Sequence, residues 1–256
     1  MRNFVGSFIA DALNSISGIR SSEMFPARVV DNTLRSIGSS TGIIVSGPGR
    51  GLRLNPGGFP GYWTGMHEPH LQKEIQKLIR PGDSVYDVGA FVGIVALMAS
   101  RAVGSSGYVA AFEPDLGASS AIEASAKANS FVHLEVINAA VSDDDGELTI
   151  SKFEGAHFSI NSVPSGHLTE TRTVAAITLD RFVSDGHRPP QLVKIDVEGA
   201  EIAVLSGMKN LLEQYFPTIV CETHGTLDEV RDYLLKFGYT TDVLTDGYHI
   251  IARKKS

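Results

Sequence analysis

From about residue 82 the chain alternates between short apolar runs and longer segments whose apolar positions recur at helical spacing. "SVYDVG" predicts a buried strand, "VGIVALMASRAV" a helix, "GYVAAFEPD" a strand, "LGASSAIEASAKANS" a helix and "VHLEVINAAV" a strand. Strands interleaved with helices imply parallel βαβ units and a doubly wound sheet. "SDDDGELTISKF" opens as a turn and continues as a strand, and "GAHFSINSVPSGHLTETRT" reads as a surface excursion near the site. "TVAAITLDRFV" predicts a strand and a short helix; "LVKIDVEGAEIAVLSGM" supplies the next pair, and "PTIVCETHG" the strand after it. "TLDEVRDYLLKFGY" begins with Thr226 and Glu229 at capping-box spacing and closes on Gly238. "TTDVLTDGYHIIARK" predicts two strands joined at Asp246-Gly247. The fold class is therefore α/β, with a mostly parallel sheet that ends in an antiparallel hairpin.

Residues 1–66 read as an N-terminal extension with an acceptor-binding or oligomerisation role. Phe4, Val5, Phe8, Ile9, Ala12, Leu13 and Ile16 recur at helical spacing, and "IIVS" and "LRLNP" look strand-like. Residues 67–256 form the main domain. It starts with "HEPHLQKEIQKLI", where Leu71, Ile75, Leu78 and Ile79 share a face, Pro69 lies in the first turn and Pro81 stops the helix.

Composition narrows the partners. The 256 residues carry a net charge of −7 with no basic block, which argues against nucleic acid or an anionic membrane. The single cysteine, Cys221, excludes an internal disulfide framework and suits a cytoplasmic protein. Asp11 and Asn14 interrupt the N-terminal apolar run, and no stretch reaches transmembrane length. Monomer and homo-oligomer both stay open.

Ligands of open α/β sheets bind beyond the carboxyl ends of the strands. At the first strand end, Asp87, Gly89, Ala90 and Gly93 form D-x-G-x-x-x-G, which lacks the third glycine of a dinucleotide fingerprint. A carboxylate beside the turn suits a ligand with a cationic amino-acid end, such as S-adenosylmethionine, better than a pyrophosphate. Glu113, before Pro114, lies about 20 residues past Gly93, where an acidic residue meets ribose hydroxyls. Ala140, Val141 or Ser142 falls beside the adenine. Lys194 and Asp196 share one face of their strand, so Asp196 sits near the transferred group and Lys194 is a buried partner for Glu222 or Asp87. Glu198 and Glu201 are expected to open the next helix, where the dipole favours carboxylates. Glu222 and His224 end the following strand, with His224 the candidate general base. A divalent ion on Asp196, Glu222 and His224 is the alternative, not favoured for want of ligand spacing. His157, His167 and His187 read as solvent-facing loop residues.

"VYDVGAFVG", "AAFEPD", "NAAVSDDDGE", "TLDRF" and above all "KIDVEGAEIAVLSGM" resemble the FkbM family of S-adenosylmethionine-dependent methyltransferases, over roughly residues 68–237. The resemblance implies a seven-stranded, Rossmann-like class I methyltransferase fold, S-adenosylmethionine as cofactor and methyl transfer to a hydroxyl oxygen. The implied acceptors are sugars of glycolipids and polysaccharides, or secondary metabolites. "YWTGMHEP" is similar to the segment that precedes the family's first core helix, which makes Glu68 either a wall of the cofactor site or a helix cap. Where the family usually has asparagine, this chain has Phe91. Two rivals stand beside this reading: an NAD-dependent oxidoreductase on a Rossmann-like fold, and a non-catalytic binding protein of methyltransferase-like fold.

Overall fold

The computed structural model describes residues 41–153, 158–159 and 168–255. The expected N-terminal helix, His157 and His167 lie outside them. The chain begins with a small antiparallel pair, β1 (Gly42–Ile43) and β2 (Arg53–Leu54), a 3-10 turn (Pro60–Thr64) and helix α1 (Pro69–Leu78). The βαβ units follow as β3 (Ser84–Val88), α2 (Ile94–Val103), β4 (Tyr108–Phe112), α3 (Leu116–Asn129) and β5 (Leu134–Ile137). Next come β6 (Ala140–Val141), β7 (Gly146–Phe153), β8 (Phe158–Ser159), β9 (Leu168–Ile177) and α4 (Leu179–Ser184). The chain closes with β10 (Leu192–Ile195), α5 (Glu201–Ser206), α6 (Lys209–Gln214), β11 (Thr218–Glu222), α7 (Leu227–Lys236), β12 (Tyr239–Val243) and β13 (His249–Lys254).

Seven strands form the main sheet in the order β12-β13-β11-β10-β3-β4-β5. All pairs among β11, β10, β3, β4 and β5 are parallel, and β13 inserts antiparallel between β11 and β12. This is the expected seven-stranded class I methyltransferase architecture, with the hairpin at Asp246-Gly247 as its end. Two expectations about strand membership change. "VHLEVINAAV" breaks into β5 and β6, and β6, β9, β7 and β8 make a separate four-stranded sheet. Periodicity identifies strands but not the sheet they join.

Successive residues alternate between two cores, as a strand period of two requires. Val85, Val109, Ala111, Leu192 and Val220 pack toward α1, α2 and α3. Tyr86, Ala110, Phe112, Val193, Ile195, Ile219 and Cys221 pack toward α4 to α7. Ile44, Leu52, Leu54 and Trp63 belong to the first core, so packing runs through residue 66 without a break. Trp63 Nε1 donates to the Leu54 carbonyl at 2.8 Å, and Ser125 Oγ of α3 accepts the Asn55 amide at 2.8 Å.

By the same alternation Asp87 and Lys194 face the first core, directly opposite each other across β3 and β10. Asp87 is fully buried and Lys194 nearly so. Lys194 Nζ lies 3.5 Å from Asp87 Oδ1 and donates to the Gly89 carbonyl at 3.0 Å and to Asp196 Oδ2 at 3.1 Å. Burial pushes the Asp87 carboxyl up against the pull of Lys194. Burial would lower the Lys194 ammonium, but Asp196 and Asp87 hold it above its ordinary value. Gly89 sits at this crossing with φ +73°, and a Cβ there would come within 1.8 Å of the Asp196 carbonyl oxygen.

Two stability changes follow. Lys194→Met leaves a buried carboxylate without its cation and is expected to cost about 3–5 kcal/mol near pH 8. Asp87 in that variant has a folded pKa above its unfolded value, so the deficit shrinks as pH falls and the carboxyl takes up a proton. Chemical denaturation across that range measures it; a deficit independent of pH would count against an ion-pair origin. Gly89→Ala combines a left-handed φ with a backbone clash and is expected to lower stability by about 2 kcal/mol or more, read from the same denaturation curves.

Candidate active site

The sheet order reverses between β3 and β10, and a cavity of about 660 Å³ opens beyond their carboxyl ends. Its walls include Glu68, Gly89, Ala90, Glu113, Pro114, Ala140, Val141, Asp196 and Glu222, all singled out from the sequence. Asp87, Gly93 and His224 do not line it. Asp87 sits behind Lys194, which does. Gly93 precedes α2 with φ +82°, and a Cβ there would press on Ile122. Ser142 also lies off the wall, its amide bonded to the Ile177 carbonyl at 3.1 Å.

One end of the cavity is apolar, built from Ala118, Ala121, Ala139, Ala140, Val141 and Ile150. Beside it Glu113 is held by two backbone amides. Oε2 accepts from Phe91 N and Oε1 from Asp115 N, both at 2.8 Å. Burial lifts this carboxyl to about 7, against those two amides, which lower it. Each oxygen keeps a further lone pair for a hydroxyl donor. Small apolar walls for a flat base, a fixed carboxylate for a diol, and the Lys194–Asp196 pair for a zwitterionic end are a donor set that fits S-adenosylmethionine.

The opposite end is crowded with carboxylates. Asp196 ends β10, and Glu222 ends β11 beside it. Glu68 occupies the N-cap position of α1 with φ +44° but makes no capping hydrogen bond; its side chain faces the cavity instead. Burial, with Glu222 and Asp196 close by, raises Glu68 to about 7. Glu198 departs from the expectation that it opens a helix: with φ +53° it lies in the turn before α5, which starts at Glu201.

His224 stands behind this group. Its Nδ1 lies 2.8 Å from Glu201 Oε1, and its Nε2 lies 3.5 Å from Glu222, 3.6 Å from Glu198 and 3.9 Å from Asp196. The bond to Glu201, then that to Glu222, raise the imidazole to about 10. Thr226, expected to cap α7, makes no capping bond with its side chain; Oγ1 donates to Glu201 Oε2 at 2.8 Å. His187, expected to face solvent, stacks on Phe182 with ring centroids 3.6 Å apart.

Three features escaped the sequence. Phe59, Tyr62 and His67 line the cavity mouth, and Phe91 joins them at 5.2 Å from Phe59 and 5.5 Å from Tyr62, ring centre to centre. Arg172 reaches the apolar end and pairs with Asp115 at 2.8 Å. His249, buried at the start of β13, lies opposite Glu222. Its signal was a lone histidine opening the apolar run "HIIA" directly after a turn.

The sequence model of the methyltransferase FkbM domain matches residues 87–241. The hexuronic acid methyltransferase AglP of Haloferax volcanii is 30% identical over 181 residues, which are 68% of this chain and 72% of that protein. Among solved structures, methyltransferase FkbM from Methylobacillus flagellatus KT aligns with a TM-score of 0.49 at 13% identity, covering 89% of this chain and 60% of that one. Precorrin-6y C5,15-methyltransferase from Geobacter metallireducens GS-15 aligns with a TM-score of 0.48 at 15% identity, covering 74% and 91%. With the domain model matching more than half of this chain and a curated relative at 30% identity, this chain belongs to the FkbM methyltransferase family.

Proposed function

We propose that the protein transfers a methyl group from S-adenosylmethionine to a hydroxyl oxygen of a sugar, with a hexuronic acid unit as the first acceptor to try. The observation that carries this is one cavity running from an apolar end, past the amide-anchored Glu113, to Asp196 and an aromatic mouth. Glu113 would hold the ribose hydroxyls; Ala140 and Val141, with Pro114 nearby, would flank the adenine. Lys194, Asp196 and the turn at Gly89 and Ala90 would meet the amino-acid end, and Asp87 would act through Lys194.

Bound there, the cofactor supplies an electrophilic methyl on a sulfonium. The protein's own part is alignment and proton removal. His224, the general base expected from the sequence, lies off the cavity wall with its imidazole raised to about 10. We assign the hydroxyl proton instead to Asp196, at a strand end on the wall, as the methyl's C–S bond breaks and the new C–O bond forms. Asp196 Oδ2 is held by Lys194, leaving Oδ1 toward His224. His224 and Glu222 would keep that carboxylate in position. Phe59, Tyr62 and Phe91 offer ring faces to the C–H face of a sugar, and the relative named for hexuronic acid supports that class of acceptor. Among the described residues no helix is long and apolar enough to cross a membrane. The buried, unpaired Cys221 suits the reducing cytoplasm, where we place the reaction.

Calorimetric titration with S-adenosylhomocysteine, and with NAD as control, tests the cofactor. Binding of the first alone is expected; binding of NAD alone would overturn the reading. Glu113→Ala removes hydrogen bonds to a charged acceptor and is expected to weaken that binding by about tenfold or more. Asp196→Asn keeps the contact with Lys194 but cannot take a proton. Methyl transfer to a hexuronic acid oligosaccharide, measured at saturating cofactor so that weaker binding of the amino-acid end does not enter, is expected to fall by about 10²- to 10⁴-fold. Undiminished turnover in this variant would remove Asp196 as the proton acceptor.

A further inference from the structure

The carboxylate-rich end of the cavity contains two side chains, Glu68 and His249, that methyl transfer leaves without a task, and both lie against Glu222. Antiparallel pairing of β11 with β13 sets Glu222 opposite His249, and Glu68 approaches both from the start of α1. His249 is 1% exposed. Its ring is fixed from behind: Nδ1 lies 3.0 Å from Asp246 Oδ2, while Asp246 Oδ1 accepts the amides of Tyr248 and His249 at 3.2 and 3.1 Å. A carboxylate held by its own turn and receiving Nδ1–H fixes the ring so that Nε2 is the nitrogen aimed at the cavity-side carboxylates, and an ion bound there takes the place of any proton that Nε2 carries.

That Nε2 atom is fully buried and makes no hydrogen bond of good geometry among the described residues. It points at two carboxylates, with Glu222 Oε2 at 3.3 Å and Glu68 Oε1 at 3.9 Å. The three ligand atoms all lie within 4.8 Å of one another. Atoms bound to one ion at about 2.0–2.2 Å stand about 3–3.5 Å apart. Glu222 and His249 are already at that spacing. Glu68, on the cavity wall, needs only a small shift.

Charge points the same way. Four carboxylates, Glu68, Asp196, Glu198 and Glu222, converge here against two cations, Lys194 and His224. Lys194 is committed to Asp87 and Asp196. His224 faces Asp196, Glu198 and Glu222 and leaves Glu68 to His249. The neighbouring trio of Asp196, Glu198 and His224 also comes within ligand distance, but no buried atom there lacks a partner, so it carries less.

We propose that Glu68, Glu222 and His249 bind one divalent transition-metal ion, with Asp246 orienting the imidazole. One imidazole and two carboxylates suit Mn²⁺, Co²⁺ or Zn²⁺ rather than Mg²⁺ or Ca²⁺, whose sites are built from oxygens. Glu68 and Glu222 face the cavity, so an ion there keeps positions open for a ligand. If the methyl-transfer reading above holds, that ligand is the acceptor hydroxyl, polarised beside Asp196.

The test is a titration of chelator-stripped, full-length protein with Co²⁺, followed by calorimetry and by the visible d–d spectrum of the bound ion. One saturable equivalent is expected, weakened at least tenfold in Glu68→Ala and with its imidazole-dependent spectrum lost in His249→Gln. Glu68 is partly exposed, so its variant stays informative if the buried histidine cannot be replaced without unfolding. Folded wild-type protein that takes up no Co²⁺ would overturn the proposal, leaving His249 an ion-pair partner of Asp246 and Glu222. Binding unchanged by Glu68→Ala and His249→Gln would overturn it as well. Titration with S-adenosylhomocysteine in the presence of chelator separates the two readings: cofactor binding without Co²⁺ binding rejects the metal site alone, and Co²⁺ binding without cofactor binding rejects the methyltransferase reading alone.

Discussion

A single ammonium in the middle of a parallel sheet organises this site. Lys194 lies between Asp87 and Asp196 and touches the Gly89 carbonyl, so it binds the ends of β3 and β10 where the strand order reverses. A buried carboxylate and a buried ammonium each cost several kcal/mol alone, and their attraction offsets that only at close range. The two strands are therefore held in a register that puts Asp87 opposite Lys194. Gly89 lets the chains meet there with no side chain between them. The alternation of side chains then delivers Glu222 to the same face, two residues past Val220. The polar half of the cavity follows from the pairing in the interior.

The segment before the first core helix is part of this arrangement. Trp63, Ile44 and Leu54 fill the core beneath α2 and α3, which sets Phe59 and Tyr62 over the cavity mouth. Phe91 meets them from the turn after β3. Its φ of +49° is the left-handed region that asparagine tolerates and phenylalanine resists. The two ring contacts offset that local cost. Phe91 thereby forms an aromatic tie between the N-terminal segment and the glycine turn after β3.

The parts of this protein legible in its sequence depend on local pattern. Strand ends carrying Asp87, Glu113 and Asp196, the glycine turn and the Asp246-Gly247 hairpin could all be read from neighbours in the chain, whereas the partner of Lys194 stayed open between Glu222 and Asp87 until the register of β10 on β3 set it opposite Asp87. What could not be read depends on register between distant segments. His249 becomes a neighbour of Glu222 only because β13 runs antiparallel beside β11, and Arg172 reaches the apolar end only because β9 leaves the main sheet. His224 was legible as a residue near the site but not in its setting, since most of the carboxylates around it come from the distant "DVEGAE" stretch brought alongside by the pairing of β10 with β11.

Glu201 shows how that setting is built. The "DVEGAE" stretch carries two glutamates of similar surroundings in sequence, yet the structure gives them different tasks. Glu198 stays in the turn near the cavity, while Glu201 is fully buried. Burial would raise the Glu201 carboxyl, but His224, the Gly199 amide and Thr226 Oγ1 lower it overall. One carboxylate thereby fixes the turn before α5, the start of α7 and the ring of His224. His224 in turn faces Asp196 and Glu222 from behind the cavity wall. The second glutamate of the motif therefore acts on the site through the histidine it holds, which explains why a chain keeps an acidic group beside so apolar a strand and helix.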